Sequence, residues 1–115
     1  MEAVRNLDIW KRACQLSTDL FETTSSYTVS SFKDQITRAG LSVLINITEG
    51  YGHDDVREQI QYLNIAKGSC GEVWTQLMVG HSAGLISPDD YAKLEMESSE
   101  ISRMLWDDIR QLQRE

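Results

Sequence analysis

Four stretches of the chain return apolar residues every three or four positions, and short polar or glycine-bearing breaks separate them. In the first, about 7–24, Leu7, Trp10, Cys14, Ser17 and Phe21 share a stripe, with Ala13, Leu16 and Leu20 beside it. Asn6 is placed to cap its start. Thr23-Thr24-Ser25-Ser26 is placed to end it, because short hydroxyl side chains compete for the helix backbone. The second, about 32–49, follows Ser31 as cap with Asp34 three residues on, and Gly50-Tyr51-Gly52 closes it. The third, about 55–83, carries Val56, Ile60, Leu63, Ala66, Cys70, Val73 and Leu77. Asp54 or Asp55 caps it, Glu58 can return the bond, and Gly84 followed by Leu85 supplies a left-handed stop. The fourth, about 88–113, opens on Ser87-Pro88-Asp89-Asp90. There a capping hydroxyl, a proline at the first helical position and two acids meet the positive helix end. Tyr91, Leu94, Ser98, Ile101, Leu105 and Leu112 form its seam. Ser26-Tyr27-Thr28-Val29-Ser30 has β-like residues but stands alone and reads as a connector. Breaks this short make successive helices antiparallel. The expected fold is all-α, an antiparallel up-and-down four-helix bundle in one domain spanning residues 1–115.

The second helix has an unusual pattern. Relative to Leu41, Val43 points to about 200°, Leu44 to about 300°, Ile45 to about 40° and Ile47 to about 240°. Large apolar groups therefore leave no wide polar face, whereas an outer helix of a small bundle should have one. Covering them stabilises by roughly 1.5–3 kcal/mol each, and a second subunit is the expected cover. Leu41, Leu44 and Ile45 are the predicted oligomer contacts. On the third helix, Ala66, Gly68, Ser69, Cys70 and Gly71 are nearly all small. Interior glycines cost roughly 1 kcal/mol each against alanine, which predicts close backbone approach of a neighbouring helix.

Composition sharpens this picture. The chain has 115 residues, 41% hydrophobic and 25% charged, with a single proline and a net charge of -7. That suits one helical domain and opposes direct contact with phosphate. The amino-terminal residues lack a basic segment followed by an apolar one, and no apolar run approaches a membrane span of ~20 residues. A cytoplasmic protein without membrane contact is expected. Cys14 and Cys70 read as small reduced core residues rather than a disulfide, since nothing marks the chain as secreted.

Candidate chemistry is sparse. The two histidines, His53 and His81, do not follow glutamates at the spacing of a di-metal bundle. Glu49 and His53 are four apart but have no second pair, and a zinc site fails on ligand number. Phosphate-binding loops, dinucleotide fingerprints and nucleophile signatures are missing. No catalytic residue, metal or cofactor is expected. One polar constellation stands out. Gln35, Arg38, Ser42, Asn46 and Glu49 share a flank of the second helix, and Ser69, Glu72 and Gln76 line the third. Arg38 could fork onto Glu49 or Glu72. The favoured reading is a polar layer that sets helix register and subunit geometry; the other is a ligand or nucleic-acid contact line. Trp10, Trp74 and Trp106 read as core or interface anchors. Between Asp89 and Glu115 there are eight acids and four bases, a solvated acidic face.

Four segments carry a resemblance to a known family: Leu7-Asp8-Ile9-Trp10-Lys11, Gln35-Ile36-Thr37-Arg38-Ala39, Ser42-Val43-Leu44-Ile45-Asn46-Ile47-Thr48-Glu49-Gly50-Tyr51-Gly52, and Tyr62-Leu63-Asn64-Ile65-Ala66-Lys67-Gly68-Ser69-Cys70-Gly71-Glu72. In order and over nearly the whole chain, they resemble the four-helix-bundle proteins encoded in intervening sequences of bacterial 23S ribosomal RNA genes. The Asn-Ile-x-Glu-Gly and Ala-x-Gly-Ser-x-x-Glu elements make the likeness specific. A related branch is the accessory variability determinant of diversity-generating retroelements. The resemblance implies a ring, a homopentamer with a central channel. For the retroelement branch it also implies binding to a reverse transcriptase and nucleic acid. That branch is strongly basic, whereas this chain is acidic. Leu44 stands where the family commonly has proline, which removes an expected kink. The leading expectation is a non-enzymatic, oligomeric interaction scaffold. The alternative is a nucleic-acid-binding accessory protein acting with a reverse transcriptase or ribosomal RNA, using Lys11, Arg12, Arg38, Arg57 or Lys67 on one face.

Overall fold

The Ser87-Pro88-Asp89-Asp90 signal acts as its chemistry predicts. Ser87 is extended, its hydroxyl accepts from the Asp90 backbone N–H at 3.2 Å, and a helix starts at Pro88. The computed structural model describes residues 2–115, and among these every regular element is helical. Four long helices, α2 (Asp8–Thr24), α3 (Ser30–Gly52), α4 (Val56–Ser82) and α5 (Pro88–Gln113), follow a single turn, α1 (Glu2–Arg5). The periodic pattern predicts no helix at α1, which buries Val4 and packs on α2 and α3.

Helices next to one another in sequence pack together, and α2 packs on α5 to close the bundle; α2 and α4, like α3 and α5, lie on diagonals. The body measures 45 × 24 × 21 Å. Its core runs the full length. Leu16 and Leu20 come from α2, Ile36, Val43 and Ile47 from α3, Leu63, Val73 and Leu77 from α4, and Leu94, Ile101 and Leu105 from α5. Each buried aliphatic side chain stabilises the fold by roughly 1.5–3 kcal/mol. Among the described residues, no helix is long and apolar enough to cross a membrane.

Several helix ends depart from the expected caps. Leu7, not Asn6, is the extended residue before α2, and no side chain caps that end. Helix α3 starts at Ser30 after Val29, so Ser31 lies inside it rather than capping it. Tyr27 stacks on Phe32 at 6.4 Å and both pack on the core, so apolar docking aims the chain into α3. Asp55 precedes α4 without a side-chain cap bond, and Glu58 lies 3.5 Å from His53 Nε2 instead.

Gly50-Tyr51-Gly52 does not stop α3, which continues to Gly52. A Cβ on Gly50 would lie 2.7 Å from Leu63 Cδ2, so this glycine serves close approach to α4. Tyr51 donates its hydroxyl to Asp108 of α5 and pins the last turn. At the end of α4, Gly84 is left-handed, with φ of 78°. The backbone N–H groups of Leu85 and Ile86 return to the Gly80 carbonyl at 2.8 and 3.2 Å. Here the left-handed stop forms as its residues predict.

Candidate interaction surface

The predicted polar flank divides when the helices pack. Ser42 and Ser69 hydroxyls meet at 2.7 Å across the α3–α4 seam. Asn46 Nδ2 donates to the Ser42 carbonyl at 2.8 Å and to its hydroxyl at 3.2 Å. These three side chains form a small satisfied layer that opposes sliding of α3 against α4. Gln76 lies on the same flank of α4, with its side-chain oxygen buried and without a donor. Gln35, Arg38 and Glu72 are exposed. The forked pair expected for Arg38 does not form with either Glu49 or Glu72, because the ion pairs among the described residues are Arg12–Glu100, His53–Glu58 and Lys93–Asp19. Glu49 instead offers its backbone carbonyl to His53 Nδ1–H at 2.6 Å. That bond, with the carboxylates of Glu58, Glu49 and Asp54 nearby, holds the His53 pKa above its ordinary value.

The apolar circumference of α3 also divides. Val43 and Ile47 are fully buried. Leu44, the third expected oligomer contact, is half-buried and packs against the chain's own core. It lies one turn before Thr48, whose hydroxyl accepts from Trp10 Nε1 at 2.9 Å, on the flank that meets α2. Leu41 and Ile45 do face outward, 38% and 54% exposed. Across the seam, Ile65 is 45% exposed. It lies one turn before Ser69 on the antiparallel helix, level with Asn46. Ile45 and Ile65 therefore flank the serine layer on the outer surface. Periodicity alone missed Ile65, because its neighbours Asn64 and Lys67 are polar and only the Ser42–Ser69 register sets it beside Ile45.

The small residues of α4 behave unexpectedly. Close approach within the chain is made by Gly40, Gly50 and Gly80, where an added Cβ would meet a side-chain atom at 2.6 or 2.7 Å. Gly68 and Gly71 are exposed, and a Cβ on either meets nothing within 4 Å. With Glu72, Thr75 and Gln76 they line an open cleft along α4. No neighbouring helix of the same chain uses the space they leave.

The tryptophans are not all core anchors. Trp10 is half-buried, whereas Trp74 and Trp106 are exposed on the α4–α5 side. Lys67 Nζ lies 4.4 Å from the Trp106 ring centroid, and Arg110 lies over the same ring at 5.8 Å. Such cation–π contacts hold a side chain at the surface for about 0.5–1 kcal/mol.

The five cations considered for nucleic acid are divided among α2, α3 and α4. Arg12 is tied to Glu100 on one edge of α5, and Lys67 is held over Trp106, also on α5. Arg38 lies on α3, diagonal to α5. Lys11 and Arg57 lie exposed on α2 and at the start of α4. Cys14 is half-buried and Cys70 buried, both free, and burial pushes the Cys70 thiol up to about 12. A thiol held protonated in this way is a poor nucleophile. Among the described residues, no group of three or more His, Cys, Asp or Glu is arranged to hold a metal ion.

The bundle is shared with a solved structure. A protein of unknown function from the S23 ribosomal protein family of Bacteroides thetaiotaomicron superposes with a TM-score of 0.83 at 21% identity, over 89% of this chain and 95% of that one. At that identity the likeness establishes the fold. No curated protein matches the chain. The family profile described as 23S rRNA-intervening sequence protein matches residues 5–107, nearly the whole length. Its reach over all four long helices, joined to a common fold, places the chain in the family of 23S rRNA-intervening sequence proteins.

Proposed function

We propose that the chain is a non-catalytic subunit of a homo-oligomer, joined through the outward face of α3 and α4, and that the assembled body is an interaction scaffold. One observation carries the reading: Gly68 and Gly71 stand in the middle of a long helix where nothing in the chain needs them to be glycine. Each costs roughly 1 kcal/mol against alanine. Close backbone approach by another chain supplies the missing gain. Ile45, Ile65 and Leu41 beside this strip give the approaching chain apolar surface to cover. The resemblance to ring-forming relatives favours a second copy as the occupant, and a ring of five as the assembly. A cytoplasmic setting accords with the absence of a membrane-length apolar helix among the described residues. The nucleic-acid reading, including a link to retroelement accessory proteins, runs against the net charge of -7.

Sedimentation velocity of paired variants tests this. Ile45 is exposed and Gly68 has open space, so both variants fit the isolated subunit; Ile45→Arg should change its stability by no more than about 0.5 kcal/mol, and Gly68→Gln should raise it by roughly 0.5–1 kcal/mol. Both should sediment as single chains with unchanged helical circular dichroism, while Ile45→Val keeps the parent mass. Retention of the parent mass by both disruptive variants would refute the assigned interface.

A further inference from the structure

We propose that Glu97 of α5 holds a proton against Asp19 of α2, a proton-dependent clasp that loosens the α2–α5 seam as the pH rises. Asp19 is about 5% exposed, in the body of α2. Its Oδ1 accepts from Gln15 Nε2 at 2.8 Å. Its Oδ2 is buried and lacks a hydrogen-bond donor, and so does Glu97 Oε2. The Glu97 carboxyl group meets that of Asp19 across the α2–α5 seam. Ionised carboxylates only accept, so that contact requires a proton held by one of them.

The charged groups around the pair do not replace that proton. Lys93 Nζ lies 3.5 Å from Asp19 Oδ2, but its side chain is 61% exposed and the pair is long. Such an ion pair is weak in water. Glu100, on the same face of α5, adds negative charge and is engaged by Arg12 of α2. Arg12, Gln15, Glu97, Glu100 and Ile101 line a small cleft over the seam, so solvent protons reach Glu97.

Desolvation, the bond to Asp19 and the charges of Asp19 and Glu100 raise Glu97 from 4.5 to about 7, against a smaller opposing pull from Lys93. Below the ordinary value, folded and unfolded chains both hold the proton. Between 4.5 and about 7 the unfolded chain releases it and the folded chain keeps it, so stability falls as pH rises through that window. Above about 7 Glu97 is ionised in the folded chain as well, and the loss is complete. The clasp is independent of how subunits assemble.

Carbon-13 carboxyl NMR of the full-length protein reads the proton on Glu97 directly. Glu97 should titrate near neutrality. In Asp19→Asn, the new amide can donate to Glu97 and one negative charge is gone, so the Glu97 midpoint should fall by at least about one pH unit, a tenfold weaker hold on the proton. A Glu97 midpoint in the ordinary carboxylate range in the parent, or an unmoved midpoint in Asp19→Asn, would overturn the proposal. Thermal melts give a second readout. In Glu97→Gln the amide donates at every pH, so the fall in Tm between about pH 5 and about pH 8 should flatten. An unchanged fall in that variant also rejects the clasp.

Discussion

At the scale of single residues, the seven glycines divide by what surrounds them rather than by where they stand in a helix. Gly80 is hemmed in: a Cβ would meet Phe32 Cζ at 2.6 Å and Ile86 Cδ1 at 2.7 Å. Gly71 looks onto open space. In the Ile45→Arg background, chosen to prevent the proposed assembly, Gly71→Ala should raise stability by roughly 0.5–1 kcal/mol through helix propensity. Gly80→Ala should lower it by roughly 1–3 kcal/mol through overpacking. Urea unfolding of the two variants checks both signs, and equal effects would show that surroundings do not distinguish these sites. No local pattern separates the two, since both are glycines inside one apolar helix. The Asp19–Glu97 contact was equally invisible, because the residues lie on different helices and nothing nearby in sequence links them.

At the scale of the helices, ends built from local chemistry were legible and ends built from packing were not. Ser87-Pro88 and Gly84 act through bonds within a few residues, so their sequence is enough. Replacing Ser87 by alanine removes the acceptor for the Asp90 N–H and should cost about 1 kcal/mol. Calorimetry should show this as a fall in Tm of roughly 4 °C. An unchanged Tm would mean that the proline and acids alone hold the start of α5. The far end of α3 is the contrary case. Gly50 and Gly52 look like a stop, but Leu63 of α4 occupies the space beside Gly50, and Asp108 of α5 accepts from Tyr51. Tyr51→Phe should lose roughly 1–2 kcal/mol in urea unfolding, with fraying confined to the last turn of α3. Uniform loss across the whole chain would contradict that anchoring.

At the scale of the whole molecule, the all-helical fold followed from periodicity and short breaks, while the candidate surface was only half legible. The sequence places large apolar groups all round α3, but packing takes Val43 and Ile47 inward and draws Leu44 onto the chain's own core. The outward remainder, Leu41 and Ile45, is narrower than the helical wheel suggests, and Ile65 widens it only because Ser42 meets Ser69. The polar layer likewise shrank from eight residues to the three that touch, since Arg38 and Glu72 find water instead of each other. Whether a second copy covers this surface is settled by the mass of the full-length protein at micromolar concentration, measured by multi-angle light scattering. Assembly through α3 and α4 requires a stable multiple of the 13.1 kDa chain, five-fold for a ring of five. A mass of one chain at every concentration would contradict it.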